Sequence, residues 1–153
     1  MDVINKVREF HKTFNHNIND EPTIVSQDEF DLRIKLLQEE IDELKEAYAN
    51  KDLVEVGDAL TDIQYILAGT YVSFGYGDKA DEMFDDVQAS NMSKACKTQE
   101  EVEASLEYYE EKGIDVYAEQ VGDYYIIKRN GDNKILKNKF YTPADIKNIL
   151  KLN

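Results

Sequence analysis

The sequence predicts an all-α core, an antiparallel helical bundle of about four helices, followed by a small α+β tail. Three observations lead there. Apolar residues recur at intervals of three and four from Phe30 to Tyr48, the mark of an amphipathic helix. The next segment, Asp52 to Phe74, is apolar around most of its circumference and so belongs at the centre of a bundle. After Lys97 the pattern changes to one amphipathic helix and then short runs broken by turn residues.

Val3 to Phe14 reads as a first helix, with Val3, Val7, Phe10 and Phe14 on one side. The polar loop "NHNINDEPTIVS" follows, and Ser26 sits directly ahead of the second helix. The second helix carries its strong apolar stripe on Phe30, Ile34, Leu37, Ile41, Leu44 and Tyr48, with a weaker strip through Leu32, Leu36 and Ala47. The central helix ends at "GYGD", and "KADEMFDDVQASNMSK" reads as a fourth helix running into a polar loop.

In the tail, Thr98 and Glu101 form a capping box for a helix closed by Gly113. "DVYAEQVGDYYIIKRNGDNKILKNK" reads as strands broken by turns at "GD" and "NGDN", a β-hairpin, and "TPADIKNILK" as a short helix with Pro143 in its first turn. The core is expected over residues 1–97 and the α+β extension over 98–153, packed on the same domain.

Composition narrows the function. The chain has 153 residues, of which 42% are hydrophobic and 33% charged, as in a soluble globular domain. Its 32 acids against 18 Lys and Arg give a net charge of −14, which argues against a nucleic-acid polymer as partner. A single cysteine, Cys96, rules out an internal disulfide and suits a reducing cytosol. Neither a signal-peptide core nor a run of about 18 apolar residues is present, so no membrane partner and a cytoplasmic location are expected.

The acids are the chemical signal. Glu40 and Glu43 fall within the weaker apolar strip of the second helix, with Glu39 just outside it. Glu55, Asp58 and Asp62 form one ridge on the central helix, in a stretch with no lysine or arginine between Lys51 and Lys79. Like charges so spaced repel, and burying them unpaired is costly. A Glu-rich helix is usually a solvated face, but an otherwise apolar helix has no need of such a ridge for solubility. Two acid sets on successive helices suggest a shared cation, and carboxylates suit Mg²⁺, with Mn²⁺ as a substitute.

"EEIDE" (Glu39 to Glu43) followed by "EVGD" (Glu55 to Asp58) resembles the EExxE…ExxD signature of the all-α nucleoside triphosphate pyrophosphohydrolases, the MazG-like and phosphoribosyl-ATP pyrophosphohydrolase-like enzymes. "SNMSK" (Ser90 to Lys94) and "FYTPADI" (Phe140 to Ile146) resemble two later segments of one branch. The resemblance implies Mg²⁺-dependent cleavage between the α and β phosphates of a nucleoside triphosphate, in nucleotide-pool housekeeping. It implies Glu40, Glu43, Glu55 and Asp58 as metal ligands, Glu39 as catalytic base, and Asn91 and Lys94 as nucleotide contacts. Between "SNMSK" and the closing motif this chain is longer than the resemblance leads one to expect.

Arg33 can reach a phosphate or pair with a neighbouring acid; the ion pair is the simpler reading, and Arg33 is kept as a candidate substrate contact. Asp62 is either a further ligand or a carboxylate bonded across the bundle. Tyr65, Tyr71, Phe74 and Tyr76 read as core rather than as a base-stacking set, and His11, His16 and Cys96 carry no assigned chemistry. The apolar excess of the central helix predicts a homo-oligomer, a dimer or tetramer in which Asn91 and Lys94 complete a neighbour's site. Two alternatives stand: a phosphoribosyl-ATP pyrophosphohydrolase, and a non-enzymatic acidic interaction protein.

Overall fold

The protein is described here from a computed structural model, in which residues 2–151 are defined. The helical core, the two-stranded antiparallel hairpin and the short last helix are those the sequence predicts. The described chain forms two compact units, Met1–Asp81 and Glu82–Asn153.

In the first unit, α1 (Asp2–Thr13) and α2 (Gln27–Asn50) both pack on α3 (Leu53–Ser73). Ser26 caps α2 by accepting from the Glu29 amide. Lys51 turns the chain in the left-handed conformation, and the Asp52 carboxylate caps α3 by accepting from the Val54 and Glu55 amides. Ile4 and Val7 of α1 join Ala68 and Val72 of α3 in one buried cluster, against which Tyr65 and Tyr71 pack. Those two tyrosines are core, as expected.

The loop after α1 lies along the end of α3. Asn19 and Thr23 donate their amides to the carbonyls of Val72 and Phe74, at 3.2 and 3.0 Å. Gly75, at φ +77°, makes the approach possible, because a Cβ there would sit 1.9 Å from the Glu21 carbonyl oxygen.

Two faces differ from expectation. On α1 the buried side is Ile4, Val7 and His11, while Phe10 and Phe14 remain exposed. On α2 the buried residues are Arg33 and Ala47, from the weaker strip and its margin, whereas Phe30, Ile34, Ile41 and Tyr48 of the strong stripe face outward. The reason is local: α3 approaches α2 where Ala47 and Ala59 are small and fully packed. Bulkier stripe residues would hold the two helices farther apart.

In the second unit, α4 (Ala80–Met92, preceded by a 3₁₀ turn at Gly77–Lys79) runs into the polar loop, and α5 (Gln99–Glu111) packs on the hairpin of β1 (Val116–Val121) and β2 (Tyr124–Arg129). The Thr98–Glu101 box caps α5, and Gly113 at φ +67° closes it. Cys96, Val102, Tyr109 and Ile127 form its core. Compactness divides the chain inside α4, not at residue 97 where the sequence pattern changes, because the end of α4 is bonded to the closing segment through Ser90 and Ser93. The last helix, α6 (Ile146–Ile149), is shorter than expected: Asp145 caps it, so Pro143 lies before the helix and not in its first turn.

No helix among the described residues is long and apolar enough to cross a membrane.

Candidate active site on the second and third helices

The α2–α3 hairpin brings the predicted acids together. Glu43 from α2 and Glu55 and Asp58 from α3 line one cavity of about 310 Å³, floored by Ala47 and Ala59. Glu40 stands one turn before Glu43. It is half-buried, and its Oε2 is shielded from solvent without a hydrogen-bond partner. Burial lifts the Glu40 carboxyl above the usual carboxylate range, and the negative fields of Glu43, Asp62, Glu39 and Asp58 lift it further. Five acids therefore share one region, and Asp62, half-buried, belongs to it.

No base answers them. Glu40, Glu43, Glu55, Asp58 and Asp62 have no ion-pair partner among the described residues, whereas Glu39 lies 3.6 Å from the Lys35 ammonium. The carboxylates are gathered but not closed up: among the described residues no three acids, histidines or cysteines converge tightly enough to hold a metal by themselves. The oxygen-only donor set and the orphaned Glu40 Oε2 fit a hard divalent cation.

Arg33 lies elsewhere. It is 4% exposed, with its Nε donating to Glu29 Oε1 at 2.8 Å, the ion pair of the simpler reading. Burial works to raise the Glu29 carboxyl, but hydrogen bonds from Arg33 and Ser73 and the Arg33 charge hold it below its usual range. His11 completes this buried group, its Nδ1 donating to the Asn17 carbonyl at 2.8 Å. Burial pushes the His11 pKa down, and the Arg33 charge adds to that, so the ring is neutral. Gly69 makes room for both: a Cβ there would lie 2.9 Å from His11 Nε2 and 3.2 Å from Arg33 Nη1.

Asn91 and Lys94 belong to the second unit, where Lys94 Nζ donates to Asn91 Oδ1 at 2.8 Å. Three cavity residues escaped the sequence reading: Glu46, Asn50 and Asp52. Asp52 was legible as an acid directly before an apolar helix, the position of an N-cap, where its carboxylate also faces the cavity.

The geometry is thus an α-helical hairpin with unneutralised acids facing across it. The sequence profile of the phosphoribosyl-ATP pyrophosphohydrolase family matches residues 7–91. The chain belongs to that family, part of the MazG-like all-α nucleotide pyrophosphohydrolase superfamily. Enzymes of this kind act on phosphoric anhydrides and generally use divalent metals. The chain is also 30% identical, over 123 residues, to an uncharacterized protein of Acanthamoeba polyphaga mimivirus. The match covers 72% of this chain and 49% of that protein, so the chain spans about half the length of the relative.

Proposed function

We propose that the chain is a Mg²⁺-dependent nucleoside triphosphate pyrophosphohydrolase, with Mn²⁺ able to substitute. Water adds to a phosphorus of the α–β anhydride, the bridging P–O bond breaks, and a nucleoside monophosphate and pyrophosphate leave. The observation that carries this reading is the half-buried Glu40, with a shielded, unpartnered oxygen among acids that no base neutralises.

Glu40, Glu43, Glu55 and Asp58 would hold the metal, which neutralises phosphate charge and acidifies bound water. Glu39, exposed and close to Lys35, is the carboxylate left to orient the attacking water and accept its proton. Asn91 and Lys94 contact the nucleotide. Arg33, paired with Glu29 within α2, serves the site indirectly by packing α2 against Gly69 of α3. Cytoplasmic housekeeping of nucleotides suits a protein whose one cysteine is wholly buried.

The same chemistry on phosphoribosyl-ATP is the second reading, favoured by the matched family. An acidic interaction protein would spread its acids over solvated faces, and Glu40 is not so placed.

Homo-oligomerisation is part of the proposal. Ile34, Ile41 and Tyr48 on α2, and Leu53, Leu60 and Leu67 on α3, recur every seventh residue and are all exposed. Such rows suit a helical seam with another copy.

Pyrophosphate release from a panel of canonical and damaged nucleotides and phosphoribosyl-ATP, with and without Mg²⁺, tests the reaction. Glu43→Gln and Asp58→Asn are expected to lose at least about a hundredfold in turnover with the fold intact. Hydrolysis undiminished in chelator would remove the metal reading.

A further inference from the structure

Lysine and arginine are scarce in this chain, 18 against 32 acids, and most described arginines are tied to carboxylates. Lys94 and Lys137 are not: neither shares an ion pair with an acid among the described residues. Lys137 lies over the ring of Tyr141, and the charge of Lys94 is felt at the same phenol.

Two segments far apart in sequence build this arrangement. At the end of α4, Ser93 Oγ accepts from the Thr142 amide at 3.0 Å and donates to the Ser90 carbonyl at 2.8 Å. The Lys94 carbonyl accepts from the Asn138 amide at 3.0 Å, and the Asn138 carbonyl accepts from the Tyr141 amide at 3.0 Å. Asn138 is 5% exposed, and its side chain spans the junction, donating to the Ala95 carbonyl and accepting from the Phe140 amide.

On this frame Ser90, itself buried, donates its hydroxyl to the Tyr141 oxygen at 3.1 Å. The phenol keeps its own proton to donate outward. Lys137 Nζ lies 4.1 Å from the centre of the Tyr141 ring, and Lys94 spends one of its three donors on Asn91. The Tyr141 hydroxyl is held below the usual tyrosine range, by the Ser90 bond first and then by the charges of Lys137 and Lys94. Two ammonium groups and a phenol thus share one corner of the second unit, and the nearest carboxylate bonded to its frame, that of Glu101, accepts from the Asn138 side chain. A phosphate oxyanion is the ligand such a set recognises.

We propose that Tyr141 and Lys137 join Lys94 as a phosphate-binding corner, contacting the di- or triphosphate of the substrate. The assignment deepens the pyrophosphohydrolase reading and rests on it for the identity of that substrate. The phenol donates a directional hydrogen bond, and the two lysines supply charge. Ser90, Ser93 and Asn138 position them without touching the ligand.

The test has two arms. In the full chain with Mg²⁺ and its best nucleotide, Tyr141→Phe and Lys137→Gln are expected to raise KM about tenfold, with kcat changing far less and unaltered melting curves. Lys137→Arg is expected to recover most of the KM. In the second arm, inorganic pyrophosphate is titrated into chelated protein and followed by amide shifts at Asn91, Lys94 and Tyr141. These shifts are expected in wild type and in Glu43→Gln, and lost in Lys137→Gln. Absence of shifts in wild type, or a KM unmoved in both variants, overturns the corner. A chain that hydrolyses no nucleotide but shows the shifts keeps the corner and loses the hydrolase reading instead.

Discussion

Gly69 lies on α3. Its reason for being glycine comes from two other elements: His11 of α1 and Arg33 of α2 both press into the space its Cβ would fill. Neither neighbour can yield easily, since both are buried and bonded. Gly69→Ala gains helix propensity of about 1 kcal/mol, but overpacking costs about 1–3 kcal/mol. The expected net result is destabilisation of about 1 kcal/mol, read from the urea midpoint.

His11 also gives the fold a pH dependence. Its folded pKa lies below the ordinary 6.5, whereas the unfolded chain takes up the proton near 6.5. Stability is therefore full above that value and falls as the pH drops through it toward the folded pKa. The groups facing the ring are Arg33 and Glu29 from α2 and His16 and Asn17 from the loop, and burial outweighs them all. Urea midpoints between pH 7.5 and 5.5 are expected to fall more in wild type than in His11→Gln.

At the scale of the element, the starts and stops of helices were legible because their chemistry is local. Ser26, the Thr98–Glu101 box and Gly113 all act within a few residues of themselves. The acids were legible too, since charge without neutralisation shows in a string. What the string hid was the inner face of α2, because periodicity finds an apolar row without saying what covers it. Ala47 and Ala59 settle that question by permitting close approach, and small residues carry a weak signal. The exposed row carries the oligomer prediction. Ile41→Glu places a charge in the seam and is expected to reduce the mass by light scattering to that of one chain, with helical circular dichroism retained. An unchanged mass would remove the seam.

For the whole molecule, the net charge of −14 and the gathered acids mean that folding works against repulsion at the site. A divalent cation that binds only the folded chain adds stability by mass action. Mg²⁺ is expected to raise the melting temperature by several degrees and chelator to reverse it. Glu40→Gln, which removes one of the crowded charges, is expected to melt higher than wild type in chelator and to respond less to Mg²⁺. A wild-type melting temperature indifferent to Mg²⁺ and Mn²⁺ would count against the site.

The hydrogen bond from the Asn138 amide to the Lys94 carbonyl joins the two ends of a long detour. The chain leaves at Lys94, builds α5 and the hairpin around their own core, and comes back to its point of departure. Closure entropy rises only slowly with loop length, so such an excursion can grow or shrink at little thermodynamic penalty while its doorway stays put. Length between two motifs and the spacing of those motifs in space are thus separate quantities in this protein.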